Sequence, residues 1–244
     1  MTEKKERIAK IMAAAGLCSR RDAERWILNG RVSVNGRVLK TPAFTVDAND
    51  VITVDGTVLG AREETRLWCY NKKPGLMTTH KDPKGRPTVF ESLPKYLPRV
   101  ISIGRLDFNS EGLLLLTNNG ALARHLELPS TGWKRKYRVR VHGKLTGEIL
   151  GRLKKGVKID GIAYAPAEIE IEKEQGTNTW VIMTLSEGKN REIRRLMEFF
   201  GLQVTRLIRI SYGPFQLGNL PEGDVREVTK KAVKDLLASL DLQA

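Results

Sequence analysis

The longest uninterrupted aliphatic block in the chain is four residues, Leu113 to Leu116, bracketed by Gly112 and by Thr117-Asn118-Asn119-Gly120. A membrane-crossing helix needs about eighteen apolar residues in a row, so no segment can serve as one and no membrane partner is expected. Every apolar stretch must instead be covered by another part of the chain. With 244 residues there is ample length for a real hydrophobic core in one large or two small domains. The start, Met1 to Arg7, is charged and lacks the apolar stretch and cleavage site of a signal peptide, so a cytoplasmic location is expected.

The first sixty residues read as one unit. Ile8, Ile11, Met12 and Ala15 recur at helical spacing ahead of Gly16, which predicts a short helix ending there. Ser19 followed by Asp22 resembles a capping box, and Ala23, Trp26 and Ile27 give a second helix an apolar face before Gly30 stops it. Val32, Val34, Val38 and Leu39 flank Asn35-Gly36, a strong hairpin signal, and Val51 to Val54 with Asp55-Gly56 supplies another strand and turn. The order is two helices, then strands.

Residues Gly60 to Arg66 are polar and aperiodic, as a boundary would be. Beyond it, strands are expected at Leu67–Tyr70, Val100–Ile103, Lys136–Val141, Ile169–Ile171, Trp180–Leu185 and Thr205–Ile210. Several alternate apolar with charged residues, which favours an antiparallel sheet with one wet face. Helices are expected at Ala121–Glu127, Leu145–Lys154, Arg191–Phe200 and Lys230–Leu240. The fold class is α+β: a small ααββ domain over 1–60, a linker over 61–66, and a mixed, mainly antiparallel sheet with flanking helices over 67–244.

Charge narrows the partner. Forty-two Lys and Arg against 28 Asp and Glu leave a net charge of +14, which suits a polyanion, nucleic acid first. No G-x-G, P-loop, G-x-S-x-G or H-E-x-x-H motif occurs, and Cys18, Cys69 and the three histidines are not at metal-ligand spacing. The cysteines read as reduced core residues, and no metal or cofactor is expected. What remains for an enzyme is acid, base or nucleophile work by carboxylate, tyrosine, lysine or arginine.

Three clusters offer such groups. Gly104-Arg105-Leu106-Asp107, between two buried strands, places a carboxylate on a loop carried by a rigid scaffold, or merely caps a turn. Trp133 to Arg140 interleaves basic residues with aromatics, as phosphate contact beside base stacking requires, or forms a surface strand with Tyr137 packed inward. Glu187 to Met197 enters a helix in which Arg191 and Arg194 share a face next to the buried stripe of Ile193, Leu196 and Met197. From there an arginine can reach a carboxylate on a neighbouring loop; the alternative is an amphipathic helix with a cationic outer face.

The runs Gly16 to Ala23 and Gly30 to Gly36 resemble the RNA-binding module named after small-subunit ribosomal protein S-four, over roughly residues 4 to 60. That resemblance makes Arg20, Arg21 and Arg31 candidates for gripping RNA. Taken in order, Gly104-Arg105-Leu106-Asp107, Gly112 to Gly120, Lys136-Tyr137 and Glu187 to Arg195 resemble the bacterial ribosomal RNA pseudouridine synthases. Glu187 to Pro214 looks closest to the large-subunit synthase B subfamily, whose target is a uridine in 23S rRNA. The small-subunit relative usually has histidine and glutamine at the Arg191 and Glu192 positions, and Asn118-Asn119-Gly120 stands where Asn-Asp-Gly is commoner.

The resemblance implies the pseudouridine synthase fold and the following roles. Asp107 is the aspartate that starts cleavage of the uridine glycosidic bond, after which uracil turns and rejoins the ribose through C5. Tyr137 packs on the base, Arg194 pairs with the aspartate, and Arg105 helps hold the flipped nucleotide. Flipping is a physical necessity, because a base inside a duplex cannot present its reacting atoms to a carboxylate. Lys136, Lys189 and Arg191 join Arg105 as RNA-binding candidates. The partner is then ribosomal RNA of the large subunit, free or in an assembly intermediate, and the protein a monomer. The rival is a non-catalytic RNA-binding ribosome assembly factor, which would need none of Asp107, Tyr137 or Arg194. An RNA methyltransferase is disfavoured by the missing glycine-rich loop.

Overall fold

The computed structural model describes residues 5–61 and 63–242. Met1 to Lys4 of the charged start, Arg62 of the expected linker and the last two residues lie outside the described residues. Among the described residues, no helix is long and apolar enough to cross a membrane.

The first elements are β1 (Glu6–Arg7), α1 (Ile8–Ala14), α2 (Arg20–Leu28), β2 (Val32–Val34), β3 (Arg37–Val38), β4 (Thr45–Val46), β5 (Ile52–Val54) and β6 (Thr57–Val58). The Ser19 side chain caps α2 by accepting from the Asp22 amide at 3.0 Å. The box closes differently from the expected one: the Asp22 carboxylate accepts from the Ser19 hydroxyl at 2.6 Å. Asn35 and Gly36 take φ of 49° and 79°, as do Asp55 and Gly56 at 49° and 80°, the paired positive values of a type I′ hairpin. The four-stranded sheet runs β3-β2-β5-β6, and Ile8, Met12, Ala23, Ile27 and Val32 form a fully buried core beneath it. Cys18 belongs to that core; both cysteines are free and buried.

The remaining elements are β7 (Leu67–Lys72), α3 (Val89–Ser92), β8 (Ile101–Ile103), β9 (Glu111–Thr117), α4 (Gly120–Glu127), β10 (Arg135–His142), α5 (Gly147–Lys155), β11 (Val157–Ile159), β12 (Ile162–Tyr164), β13 (Glu168–Gln175), β14 (Asn178–Leu185), α6 (Glu192–Phe199), β15 (Gln203–Tyr212), β16 (Phe215–Gln216), β17 (Val225–Glu227) and α7 (Lys230–Ser239). The large sheet runs β13-β14-β10-β15-β9-β7-β17, with β16 on β15 and β8 on β9. Its pairs are antiparallel except β15 with β9, where Ile208 and Arg209 lie beside Glu111 and Gly112. The sheet is therefore mixed and mainly antiparallel.

The leucine run explains the layering. Leu113 and Leu115 of β9 join a core with Leu122, Leu126, Val233 and Leu237 from α4 and α7, while Leu114 and Leu116 join Trp68, Tyr70, Val89 and Leu106 on the other face. A strand covered on both faces reads as a continuous apolar run. A third core, Val139, Val181, Met183, Ile193, Leu196 and Leu207, lies under α5 and α6 on the β10–β14–β15 side. Tyr137 touches this core and the Trp68 core.

Residues Glu64 to Arg66 are pinned to the second set of elements. The Arg66 amide donates to Asn118 Oδ1 at 2.8 Å, and Asn119 Nδ2 donates to Thr65 Oγ1 at 2.8 Å. Asn119 also accepts from the Ala121 and Leu122 amides as cap of α4. An aspartate at this position could cap but could not donate to Thr65, which gives the Asn-Asn-Gly sequence a physical use. Two helices start later than expected: α5 at Gly147, capped by Thr146, and α6 at Glu192, because Arg191 is left-handed.

Candidate active site

A cleft of about 830 Å³ opens over β10 and β15, beside the parallel pairing of β15 with β9. Asp107 reaches it from the loop between β8 and β9, Tyr137 from β10, and Lys189, Asn190 and Arg191 from the turn before α6. Arg105 lines it too and is exposed. Three stretches far apart in sequence thus supply one cavity.

The Asp107 loop is built tightly. The Ser110 amide donates to the Asp107 carbonyl at 3.0 Å, and Thr78 Oγ1 donates to the Leu106 carbonyl at 2.8 Å. Beneath it, the wholly buried Lys72 at the end of β7 donates through Nζ to the carbonyls of Lys73, Phe108 and Ser110 at 2.9, 3.2 and 2.8 Å. Burial pulls its ammonium down to about 8, against the opposing pull of Asp107 and Glu111. One buried cation thereby clamps the end of the strand to the carbonyls that follow Asp107.

Arg191 lies opposite, its Nη1 3.9 Å from Asp107 Oδ2. Its φ of 51° and ψ of 33° place a non-glycine residue in the left-handed region, costing on the order of 1 kcal/mol. The turn is held by Glu192, whose carboxylate accepts from the Lys189 amide at 2.9 Å. Glu192 is buried, its Oε1 has no hydrogen-bond partner, and burial together with the nearby Glu187 carboxylate pushes its acid up to about 7. Lys189 pairs instead with Glu187.

The geometry revises the expected aspartate–arginine pair. Arg194 does not line the cleft; it donates to the Val204 carbonyl at 3.1 Å and to the Asn109 carbonyl at 3.3 Å, and the ion-pair partner of Asp107 is Arg191. Burial and Arg191 pull the Arg194 guanidinium below its ordinary value, while Asp107 raises it. Arg194 therefore feels the carboxylate and braces its loop from behind. Lys136 is exposed and outside the cleft, because it alternates with Tyr137 along β10 and points to the other face.

Of the basic residues in the first module, Arg20 lines a small hollow with Lys5, Arg7 and Lys10, and Arg21 is exposed. Arg31 is locked, its Nε donating to Asp55 at 3.0 Å and its guanidinium 4.6 Å from the Trp26 ring centroid. The sequence assigns no role to Lys72, Glu192 or Arg209, and places Arg135 only within the basic run Trp133 to Arg140 that suits phosphate contact. Lysine closing the buried strand Leu67 to Asn71 was the one available signal. Among the described residues no cluster of His, Cys, Asp and Glu could hold a metal ion.

Residues 66–199 match the family model described as RNA pseudouridylate synthase, and residues 6–52 the S4 domain. A Rickettsia bellii protein named an uncharacterized RNA pseudouridine synthase is 54% identical over 94% of this chain and 99% of its own length. Proteins named ribosomal large subunit pseudouridine synthase B from Pseudomonas aeruginosa and Yersinia pestis are each 42% identical over 98% of this chain, spanning 63% and 78% of their own lengths. A crystal structure of a pseudouridylate synthase superposes with a TM-score of 0.67 at 26% identity, covering 94% of this chain and 99% of that one. An S4 domain followed by this sheet and cleft, with relatives so similar over nearly full length, means that the chain belongs to the RNA pseudouridine synthase family of isomerases.

Proposed function

We propose that the protein isomerises a specific uridine of ribosomal RNA, in the 23S molecule of the large subunit, with Asp107 starting cleavage of the glycosidic bond. The observation that carries the site assignment is the carboxylate of Asp107 facing Arg191 across a cleft that Tyr137 also lines. Asp107 attacks C1′ as the N1–C1′ bond breaks, the uracil turns, C5 bonds to C1′ and releases the carboxylate, and the C5 proton leaves as N1 gains one. Tyr137 packs on the base and takes the C5 proton. Arg191 sets the carboxylate, Arg194 is a positioning residue for its loop, and Arg105 holds the flipped nucleotide with Lys189. The 23S assignment rests on the two relatives named for the large subunit.

Residues 1–60 serve as an RNA grip through Arg20 and Arg21, 61–66 as linker and 67–244 as the catalytic domain, in a cytoplasmic monomer. The test is purified protein on 23S rRNA fragments, with pseudouridine mapped in rRNA from a deletion strain. Asp107→Asn should abolish product while RNA affinity stays within about twofold, since no phosphate contact is lost. Product formation by that variant at the wild-type rate refutes the assignment of Asp107, and an unchanged pseudouridine map refutes the rRNA target.

A further inference from the structure

Two arginines of the cleft have no part in the chemistry above. Arg135 and Arg209 retain 7% and 3% exposure, yet both line the cleft. Their guanidinium carbons lie 4.8 and 5.1 Å from the Tyr212 ring centroid, so the two charges are within about 10 Å of each other. The ring is fixed, its hydroxyl donating to the Leu126 carbonyl at 2.7 Å.

Neither charge has a counter-charge: among the described residues neither arginine makes an ion pair. Arg135 donates to the Tyr212 hydroxyl at 3.1 Å and to the Trp133 and Ser186 carbonyls at 3.3 and 3.4 Å. Arg209 donates through Nε to the Leu113 carbonyl at 2.7 Å, and its buried Nη2 has no partner. Neutral acceptors offset only part of the desolvation of a buried cation. None of the four carboxylates lining the cleft pairs with either arginine: Asp107 faces Arg191, Glu187 pairs with Lys189, Glu127 accepts from the Gly104 amide, and Glu192 accepts from the Lys189 amide. Arg209 braces its strand through Nε alone and leaves a buried Nη2 unpartnered, while Arg135 meets only neutral acceptors through its terminal nitrogens; two guanidinium charges without a counter-charge in the cleft suit the oxygens of an anion.

We infer that Arg135 and Arg209 form an anion subsite in the floor of the cleft that takes a backbone phosphodiester of the RNA beside the flipped uridine. This rests on the RNA reading above and adds a positional requirement to it. Phosphate there would fix the strand's register against Asp107, because phosphate contacts position a nucleic acid without reading its sequence.

The experiment uses the full chain and an RNA fragment that it modifies, with a neutral methylphosphonate replacing each phosphodiester flanking the modified uridine in turn. One linkage should weaken wild-type binding roughly tenfold, the scale of a lost charge-assisted hydrogen bond. Arg209→Met should weaken binding to the unmodified RNA similarly, lower the slope of log affinity against log salt by about 0.7 to 0.9, and be insensitive to that same linkage. Lys154→Met, an exposed charge on α5, should keep the wild-type response. Equal losses for wild type and Arg209→Met at every linkage overturn the subsite.

If Arg209→Met does not fold, Arg135→Met carries the same cycle, because it removes the other charge of the pair. Should the wild type modify no RNA, the function reading fails, and the subsite is decided without turnover. Inorganic phosphate should then raise the thermal midpoint of the wild type and of Lys154→Met more than that of the Arg209 variant. Equal rises overturn it.

Discussion

Replacing Glu192 with glutamine should stabilise the protein at pH 8 and leave its stability unchanged at pH 4.5. Glu192 is 4% exposed, and burial beside Glu187 raises its acid from 4.5 to about 7. Between those values the folded chain holds a proton that the unfolded chain has released, so the contribution is fully present below pH 4.5 and lost as the pH rises through 7. At about 1.4 kcal/mol for each tenfold change in acidity, the rise corresponds to about 3 kcal/mol at pH 8. Glutamine copies the protonated acid: its oxygen can accept from the Lys189 amide and its NH2 can donate toward Glu187. Urea unfolding of both proteins at pH 4.5, 6, 7 and 8 measures the difference, and groups common to both cancel. A difference independent of pH, or a glutamine variant less stable at pH 8, refutes the argument that Glu192 is held as a buried acid.

Lys72→Met should cost about 3 to 5 kcal/mol, because it leaves the carbonyls under the Asp107 loop unpaired; urea midpoints and kcat should fall together, and an unchanged kcat would show that the clamp does not position Asp107. Gly112→Ala should destabilise by about 3 kcal/mol, since its Cβ would sit 2.4 Å from the Arg209 carbonyl oxygen at a φ of 94°. Gly60→Ala, with nothing within 4 Å, is the control in the same thermal melts. Removing residues 1–60 should weaken RNA binding and lower its salt slope by about 0.9 per lost phosphate contact, with a smaller loss of single-turnover rate at saturating RNA; an unchanged slope would show that the module makes no phosphate contacts.

The legible parts of the fold are those decided by local chemistry. Asn35-Gly36 and Asp55-Gly56 fix two hairpins because few other dipeptides take positive φ twice, and Ser19 marks a helix start because its hydroxyl satisfies an otherwise unpaired amide. Two further signals of the same kind lie in the chain: Thr88 with Glu91 closes a capping box on α3, and Asp160-Gly161 turns the β11–β12 hairpin. The parallel pairing of β9 with β15 leaves no such trace, because no turn joins the two strands. Arg194 shows the same limit within the site. Its spacing from Arg191 puts both near the cleft, but the left-handed Arg191 at the cap turns that residue toward Asp107 and leaves Arg194 reaching the Val204 and Asn109 carbonyls. Arg135 and Arg209 look like ordinary basic positions of alternating strands, and only burial distinguishes them.

The β9–β15 junction also sets when the enzyme becomes competent during folding. The paired residues, Glu111 with Ile208 and Gly112 with Arg209, are roughly a hundred positions apart, so joining them closes a long loop whose entropy must be overcome late. The core under α5 and α6 is drawn wholly from residues 139 to 207 and can condense early, whereas the β9 core needs Val233 and Leu237 from the last helix made. Asp107 belongs to the late half, and Tyr137 and Arg191 to the early one. On the proposed roles, a nascent chain completes its RNA-gripping module before the halves that carry Asp107 and Arg191 can meet, and catalysis awaits the closing of the seam between them.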